Sequence, residues 1–197
     1  MKKISLLALI LSAAIAVNAQ AVNFGVKGGV NVATWDHSQN ENLNSRIGYH
    51  AGLFANIPVS SQIAVQPEAI YSSQGVKYTE GGIGHNLALN YVNIPVMVQA
   101  MVGRGFYAQA GPQLGIFTSV SDEVNNTETG FFNKSDFKTT DVALGVGLGY
   151  KGISGFGIDA RYNLGLTNIN NGGSANIKNN VLQVGLQLQL GGSGRRF

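Results

Sequence analysis

Apolar and polar residues alternate along most of this chain with a period of two, which is typical of β-strands that have one apolar and one polar face. The clearest example is 91–116, where two alternating runs flank the tight turn Gly103-Arg104-Gly105 and predict a β-hairpin. One face of this hairpin carries Val92, Ile94, Val96, Val98, Ala100, Phe106, Ala108, Ala110, Leu114 and Ile116.

The same pattern recurs and predicts eight strands, each near the 9 to 11 residues that a tilted membrane strand needs. Besides the two strands of 91–116, they span about 23–33, 47–57, 62–74, 141–150, 156–167 and 179–190. Short turns alternate with longer loops at 34–46, 75–88, 119–140 and 168–178. These features predict an all-β fold, an eight-stranded antiparallel up-and-down transmembrane β-barrel with its long loops outside and both termini in the periplasm.

The strand charges all fall on the polar face; they are Lys27, Glu68, Asp141, Asp159 and Arg161. A charge on a lipid-facing position at mid-bilayer would cost roughly 2–4 kcal/mol, so this distribution favours an apolar face in lipid. The polar face is rich in Gly, Asn and Gln, which suits a narrow lumen. The alternative is a soluble periplasmic, lipocalin-like barrel that turns its apolar face inward around a hydrophobic ligand.

The interior of an eight-stranded barrel is narrow enough for its side chains to meet. We therefore expect a lumenal polar network of Lys27, His50, Glu68, Asp159 and Arg161, because unpaired buried charges are costly. The simplest interpretation is a structural plug. The alternative is a pathway for protons or solutes, that is, a narrow pore or transport channel.

Three prolines fall within predicted strands, Pro67 and Pro112 on the apolar face and Pro95 on the polar face. Proline has no backbone N–H to donate and a closed barrel has no free edge, so we expect bulges or local widening there. Aromatic residues at strand ends or on the outer face predict membrane-interface girdles. They are Trp35, Tyr49, Tyr71, Phe106, Phe117, Tyr150, Phe156 and Tyr162.

Residues 1–21 have the three parts of a secretory signal peptide: Lys2 and Lys3, an apolar run, and a small-residue end. We expect cleavage after Ala21, with Ala19 as the alternative, which leaves a single barrel domain at 22–197. The 13 basic residues then become 11 against 10 acidic ones, a net charge of +1. This balance gives no support for nucleic-acid binding. The absence of cysteine excludes disulfides and thiolate chemistry.

Candidate catalytic residues are few. Asp36, His37 and Ser38 are adjacent, so they cannot easily converge as a hydrolase triad, and His85 lies in the next long loop. Asp122, Glu123, Glu128 and Asp136 lack the spacing of a calcium loop and predict a solvated segment. We expect no catalytic site, no metal site and no cofactor. The third hypothesis, an outer-membrane enzyme, would depend on His37 or His85.

With these strands in view, the sequence resembles the PorT-like outer-membrane β-barrel family of Gram-negative bacteria and, more distantly, the OmpX and OmpA barrels. Four segments carry the resemblance: 24–31 (FGVKGGVN), 91–96 (YVNIPV), 106–115 (FYAQAGPQLG) and 160–169 (ARYNLGLTNI). It implies a non-enzymatic envelope protein with a structural or surface-interaction role, or an accessory to protein secretion.

The implied partners are outer-membrane lipid and lipopolysaccharide, the barrel-assembly machinery during biogenesis, and a secretion or surface protein. Phe197 resembles the terminal aromatic residue that the assembly machinery reads, although the preceding GGSGRR departs from an alternating final strand.

Overall fold

The computed structural model describes residues 22–36, 43–80, 82–124, 127–128, 133–152, 154–171 and 177–190. The predicted signal peptide, His37, Ser38 and Phe197 lie outside these residues. Within the described part of the chain, no helix has the length and apolar character needed to cross a membrane.

Eight long antiparallel strands form one closed sheet. Each strand pairs with the next along the chain, and the last pairs with the first, so the predicted eight-stranded up-and-down barrel is confirmed. The strands are β1 (Asn23–Asp36), β2 (Leu43–Pro58), β3 (Ile63–Glu80), β4 (Ile83–Met101), β5 (Phe106–Val124), β6 (Thr140–Lys151), β7 (Phe156–Gly165) and β8 (Lys178–Leu190). A two-residue strand, Thr127–Glu128, pairs with the end of β5, and a short 3₁₀ helix follows at Lys134–Asp136.

The apolar face of the barrel points outward. Ile47 is 72% exposed and Leu148 68%, whereas Lys27, Glu68 and Arg161 are at most 5% exposed. Outward-facing residues are apolar from the short turns up to Ile47 on β2, Tyr71 on β3, Val92 on β4 and Ile116 on β5. We call this zone the apolar band. Because the interior is polar, the lipocalin-like alternative is wrong.

β2, β3, β4 and β5 are longer than predicted and rise beyond the apolar band. The segment 75–88 is the continuous β3–β4 hairpin, paired up to Glu80 and Ile83, and is not a loop. β5 continues to Val124 and pairs with β4 as far as His85, which removes the first part of the predicted loop 119–140. We call residues 73–80, 83–90 and 118–124 the raised sheet. The end of β2, from Leu43, pairs with its edge strand β3.

The inner side of the raised sheet holds a hydrophobic cluster at the mouth of the barrel. Its buried members are Val76, Leu87, Leu89, Tyr91, Phe117, Phe137 and Ile169, with Trp35, Tyr78, Val120 and Ile177 packed against them. The placement of Phe117 and Trp35 in an outer aromatic girdle is therefore wrong. The other six predicted aromatics do face outward; they are Tyr49, Tyr71, Phe106, Tyr150, Phe156 and Tyr162.

The three prolines interrupt pairing without shifting the register. Two consecutive residue pairs drop out of the ladder beside each of Pro67, Pro95 and Pro112, and the same register resumes beyond the gap. This is local widening, as expected where proline cannot donate. The expected bulges are not at the prolines, because the register shifts lie at Ser45/His50 and at Asn90/Tyr91.

Candidate functional site

An ionic cluster crosses the middle of the lumen. Arg161 on β7 reaches across the barrel to Glu68 on β3 with two hydrogen bonds, Nη1 to Oε2 at 3.0 Å and Nη2 to Oε1 at 2.8 Å. Lys27 Nζ on β1 lies 3.2 Å from Asp159 Oδ2 and 3.5 Å from Glu68 Oε2. Two cations thus face two carboxylates. This bidentate, fully buried geometry is the kind that offsets the cost of burying charge.

Amide side chains add hydrogen bonds to these charges, although Asp159 Oδ1 and Arg161 Nε have no partner among the described residues. Gln66 Nε2 donates to Glu68 Oε1 at 2.8 Å, and Gln109 Oε1 accepts from Arg161 Nη2 at 3.1 Å. His50, which we expected among the charges, contacts Asn31 instead, with Nδ1 2.8 Å from Asn31 Oδ1. The structure therefore brings Lys27, Glu68, Asp159 and Arg161 together and places His50 in a neighbouring amide cluster.

The turn end of the lumen, nearest the three short turns, carries a second polar layer that was not predicted. Lys151, expected in a turn, is the last residue of β6, and its Nζ donates to Gln99 Oε1 at 2.7 Å. The same ammonium lies 5.1 Å from the ring centroid of Tyr107. Gln187 Nε2 donates to the Tyr107 hydroxyl oxygen at 3.0 Å.

Interacting side chains thus occupy the lumen at three levels: the Lys151 layer, the ionic cluster and the hydrophobic cluster at the opposite mouth. A hydrophobic constriction can block ions by excluding water from the path. The apolar mouth and the cross-barrel ion pairs fit a plug that stabilises the barrel.

The inner side of the raised sheet also contains the candidate catalytic histidine. The His85 ring stacks on Tyr78 with centroids 4.6 Å apart, and its Nδ1 lies 3.7 Å from Asp122 Oδ2. Asp122 is 3% exposed, so its placement in a solvated loop is wrong. Asp36, at the end of β1, is exposed and pairs with Lys178 on β8, whereas His85 pairs with Val124 on β5.

The outward side of the raised sheet holds a polar row at one level across four strands. Asn44 pairs with Lys77, Lys77 with Asn86, and Asn86 with Glu123, so the row is about 14 Å wide. These residues line an open cleft together with Thr79 and Gly84, and Tyr78 and His85 from the end of the hairpin also border it. The alternating neighbours Val76, Leu87 and Asp122 are buried on the inner side.

Arg46 lies within the register shift of β2, and its guanidinium is hydrogen-bonded against this row. Its Nε donates to Asn86 Oδ1 at 3.0 Å, and its Nη1 donates to Ser73 Oγ at 3.1 Å and to the Gln74 carbonyl at 3.0 Å. Asn86 Nδ2 in turn donates to Glu123 Oε2 at 3.3 Å. Partial burial lowers the pKa of the Arg46 guanidinium and the charge of Glu123 opposes this, so Arg46 remains a cation at neutral pH.

Solved structures support the fold. The chain is similar to Ail, the attachment invasion locus protein of Yersinia pestis, with a TM-score of 0.53 and 12% identity over 87% of this chain and 99% of that chain. Neisserial surface protein A gives 0.52 and 14% identity over 85% and 97%. Ail in complex with the heparin analogue sucrose octasulfate gives 0.50 and 13% over 87% and 99%. At such identities the similarity shows the fold alone.

A comparison with curated proteins gives no match. A family model described as "Outer membrane protein beta-barrel domain" matches residues 18–171, more than half of the 197 residues. The match agrees with the apolar exterior and the polar, bonded interior. The chain therefore belongs to the family of outer membrane protein β-barrel domains.

Proposed function

We propose that this protein is a non-enzymatic outer-membrane barrel that serves as a surface-interaction protein, with the raised sheet outside the cell and the lumen closed. The observation that carries the proposal is the contrast between the two regions. The lumen is occupied by interacting side chains at three levels, whereas the raised sheet extends beyond the apolar band and has a mostly polar outward side.

The fold is compatible with this role. Ail, by its name an attachment protein, has the same fold, which shows that such a barrel can carry a surface function. Because one fold hosts many functions, the role of this chain must rest on its own residues. Here they are the exposed polar row of the raised sheet and the cleft that it lines.

Orientation can be tested with single cysteines, because the natural chain has none. We expect Thr79→Cys, on the raised sheet, to react with a membrane-impermeant maleimide on whole cells. Arg104→Cys, in the short turn between β4 and β5, should react only after the outer membrane is permeabilised. The reverse pattern would place the raised sheet in the periplasm and contradict the proposal.

A closed lumen can be tested in planar bilayers. Purified protein should show no lasting single-channel conductance at voltages where a porin of known conductance, used as the control, opens. Stable openings at protein levels that give heat-modifiable barrels on gels would favour the narrow pore instead.

We also propose that residues 1–21 are a cleaved export signal and that the chain belongs to the PorT-like branch, as an accessory to secretion. The quoted segments at 24–31, 91–96, 106–115 and 160–169 support this assignment. The mass of the mature protein tests the cleavage site. Deletion of the gene should reduce the amount of secreted protein, and unchanged secretion would contradict the accessory role.

A further inference from the structure

We propose that the outward side of the raised sheet binds the phosphorylated sugar headgroup of an outer-leaflet glycolipid, held by Arg46 and Lys77. This inference rests on the proposed orientation of the raised sheet and goes beyond it by naming a ligand class and a site.

The position of Arg46 relative to the apolar band supports this proposal. The Arg46 backbone is one residue beyond Ile47, where the apolar band ends on β2. Its guanidinium bonds Ser73, two residues beyond Tyr71, where the band ends on β3. A cation fixed directly above acyl-chain depth faces the layer in which lipid headgroups lie.

The outward residues also change from apolar to polar at this level. Below this level the outward positions are apolar, and above it the same strands present Lys77, Asn86, Asn90 and Ser119, while Ser73 is buried against Arg46. The alternation therefore changes from apolar-out to polar-out within continuous strands. The raised sheet is built to meet a polar layer along its side.

The polar row and its neighbours combine cations with amide and hydroxyl groups. Arg46 is held by three hydrogen bonds, so its orientation costs little further entropy when it meets a phosphate. Lys77 is exposed in the cleft and adds a second cation. Asn44, Asn86 and Thr79 supply amides and a hydroxyl, which bind sugar hydroxyls. A sugar phosphate matches both sets of groups.

Substitution of Glu123 separates lipid binding from a purely structural role, because the two predict opposite changes in lipid affinity. Its carboxylate accepts from Asn86 at the end of the row and repels an incoming phosphate. Glu123→Gln keeps an acceptor for Asn86 and removes the charge, so it should strengthen binding. If Glu123 only stabilised the sheet, its substitution would weaken lipid binding.

The test uses the full mature chain in zwitterionic detergent, with bisphosphorylated lipid A, dephosphorylated lipid A and phosphatidylglycerol as separate probes. Lipid retained on the captured barrel is measured by mass spectrometry. We expect selective retention of bisphosphorylated lipid A, with a loss of roughly tenfold in affinity for Arg46→Gln combined with Lys77→Gln. The control Arg104→Gln, an exposed turn residue at the other end, should bind as the natural chain does.

Unchanged binding by the double variant, or equal retention of the three lipids, would overturn the proposal. If Arg46→Gln fails to give a heat-modifiable barrel, Lys77→Gln and Glu123→Gln alone decide it, because their expected effects have opposite signs. Failure of this test with normal cysteine labelling would leave the proposed function standing, whereas reversed labelling would remove both.

Discussion

At the scale of single residues, we expect the buried side chain of Arg161 to stabilise the barrel. It is 1% exposed and bonds Glu68 through both terminal nitrogens. Arg161→Ala leaves two carboxylates, Glu68 and Asp159, facing the single cation Lys27. Removing one partner of a buried pair typically costs roughly 3–5 kcal/mol, because the remaining charge stays buried. We expect a loss of this size in urea unfolding in phospholipid vesicles.

Arg104→Ala, in an exposed turn, is the matched control and should leave the unfolding midpoint unchanged. The double variant Glu68→Gln, Arg161→Gln should lose less than the sum of the two single changes, because both charges leave together. An unchanged midpoint for Arg161→Ala would show that the pair does not contribute to stability.

Alternation alone predicted that these charges face the lumen, but it could not assign their partners. Whether Arg161 meets Glu68 depends on strand tilt and stagger, which place side chains from distant strands at the same height. His50 was grouped with the charges for the same reason and instead contacts Asn31. The side chain of Lys151 was unpredictable, since residues at strand ends can turn either way.

At the scale of elements, the raised sheet depends on glycine at one position in β3. Gly75 has φ +126°, and a Cβ there would collide with the backbone carbonyl of Leu87 on β4. Gly75→Ala should therefore destabilise the β3–β4 hairpin by about 1–3 kcal/mol from backbone strain alone. We expect faster cleavage within 73–90 in limited proteolysis of the folded barrel.

Gly84→Ala is the control on the same hairpin, because a Cβ there meets nothing within 4 Å. It should leave cleavage unchanged. If both variants are cleaved alike, the close approach of Gly75 to β4 does not limit the stability of the hairpin.

The raised sheet was missed because the polarity of the alternation inverts in it. Leu87, Leu89 and Tyr91 repeat with a period of two, as in any strand, but their apolar side faces inward while lower positions face lipid. The segment 75–88 was predicted as a loop, although it contains this inverted alternation. A run in which the apolar positions switch from the outward to the inward side of the strand is the sequence signal that would have predicted the raised sheet.

At the scale of the whole molecule, the outer and inner faces of the sheet should lie in different solvents. The free-energy cost of a charge on the outer face should then depend on its depth in the bilayer. Val146, in the middle of β6, and Leu166, just beyond β7, are both outward and 40% and 55% exposed. Arginine should cost roughly 2–4 kcal/mol at the mid-bilayer position and about 0–1 kcal/mol near the interface. Val146→Arg should therefore unfold at lower denaturant than Leu166→Arg in phospholipid vesicles.

The comparison of Val146→Arg with Leu166→Arg distinguishes an outer face in lipid from an outer face in water. In a barrel whose outer face met water, both positions would accept arginine with little cost, since long charged side chains are well solvated on an exposed sheet. A third variant, Val146→Leu, keeps the site apolar and should match the natural chain. Equal midpoints for the two arginine variants would show that the exterior between the short turns and the raised sheet does not lie in a bilayer.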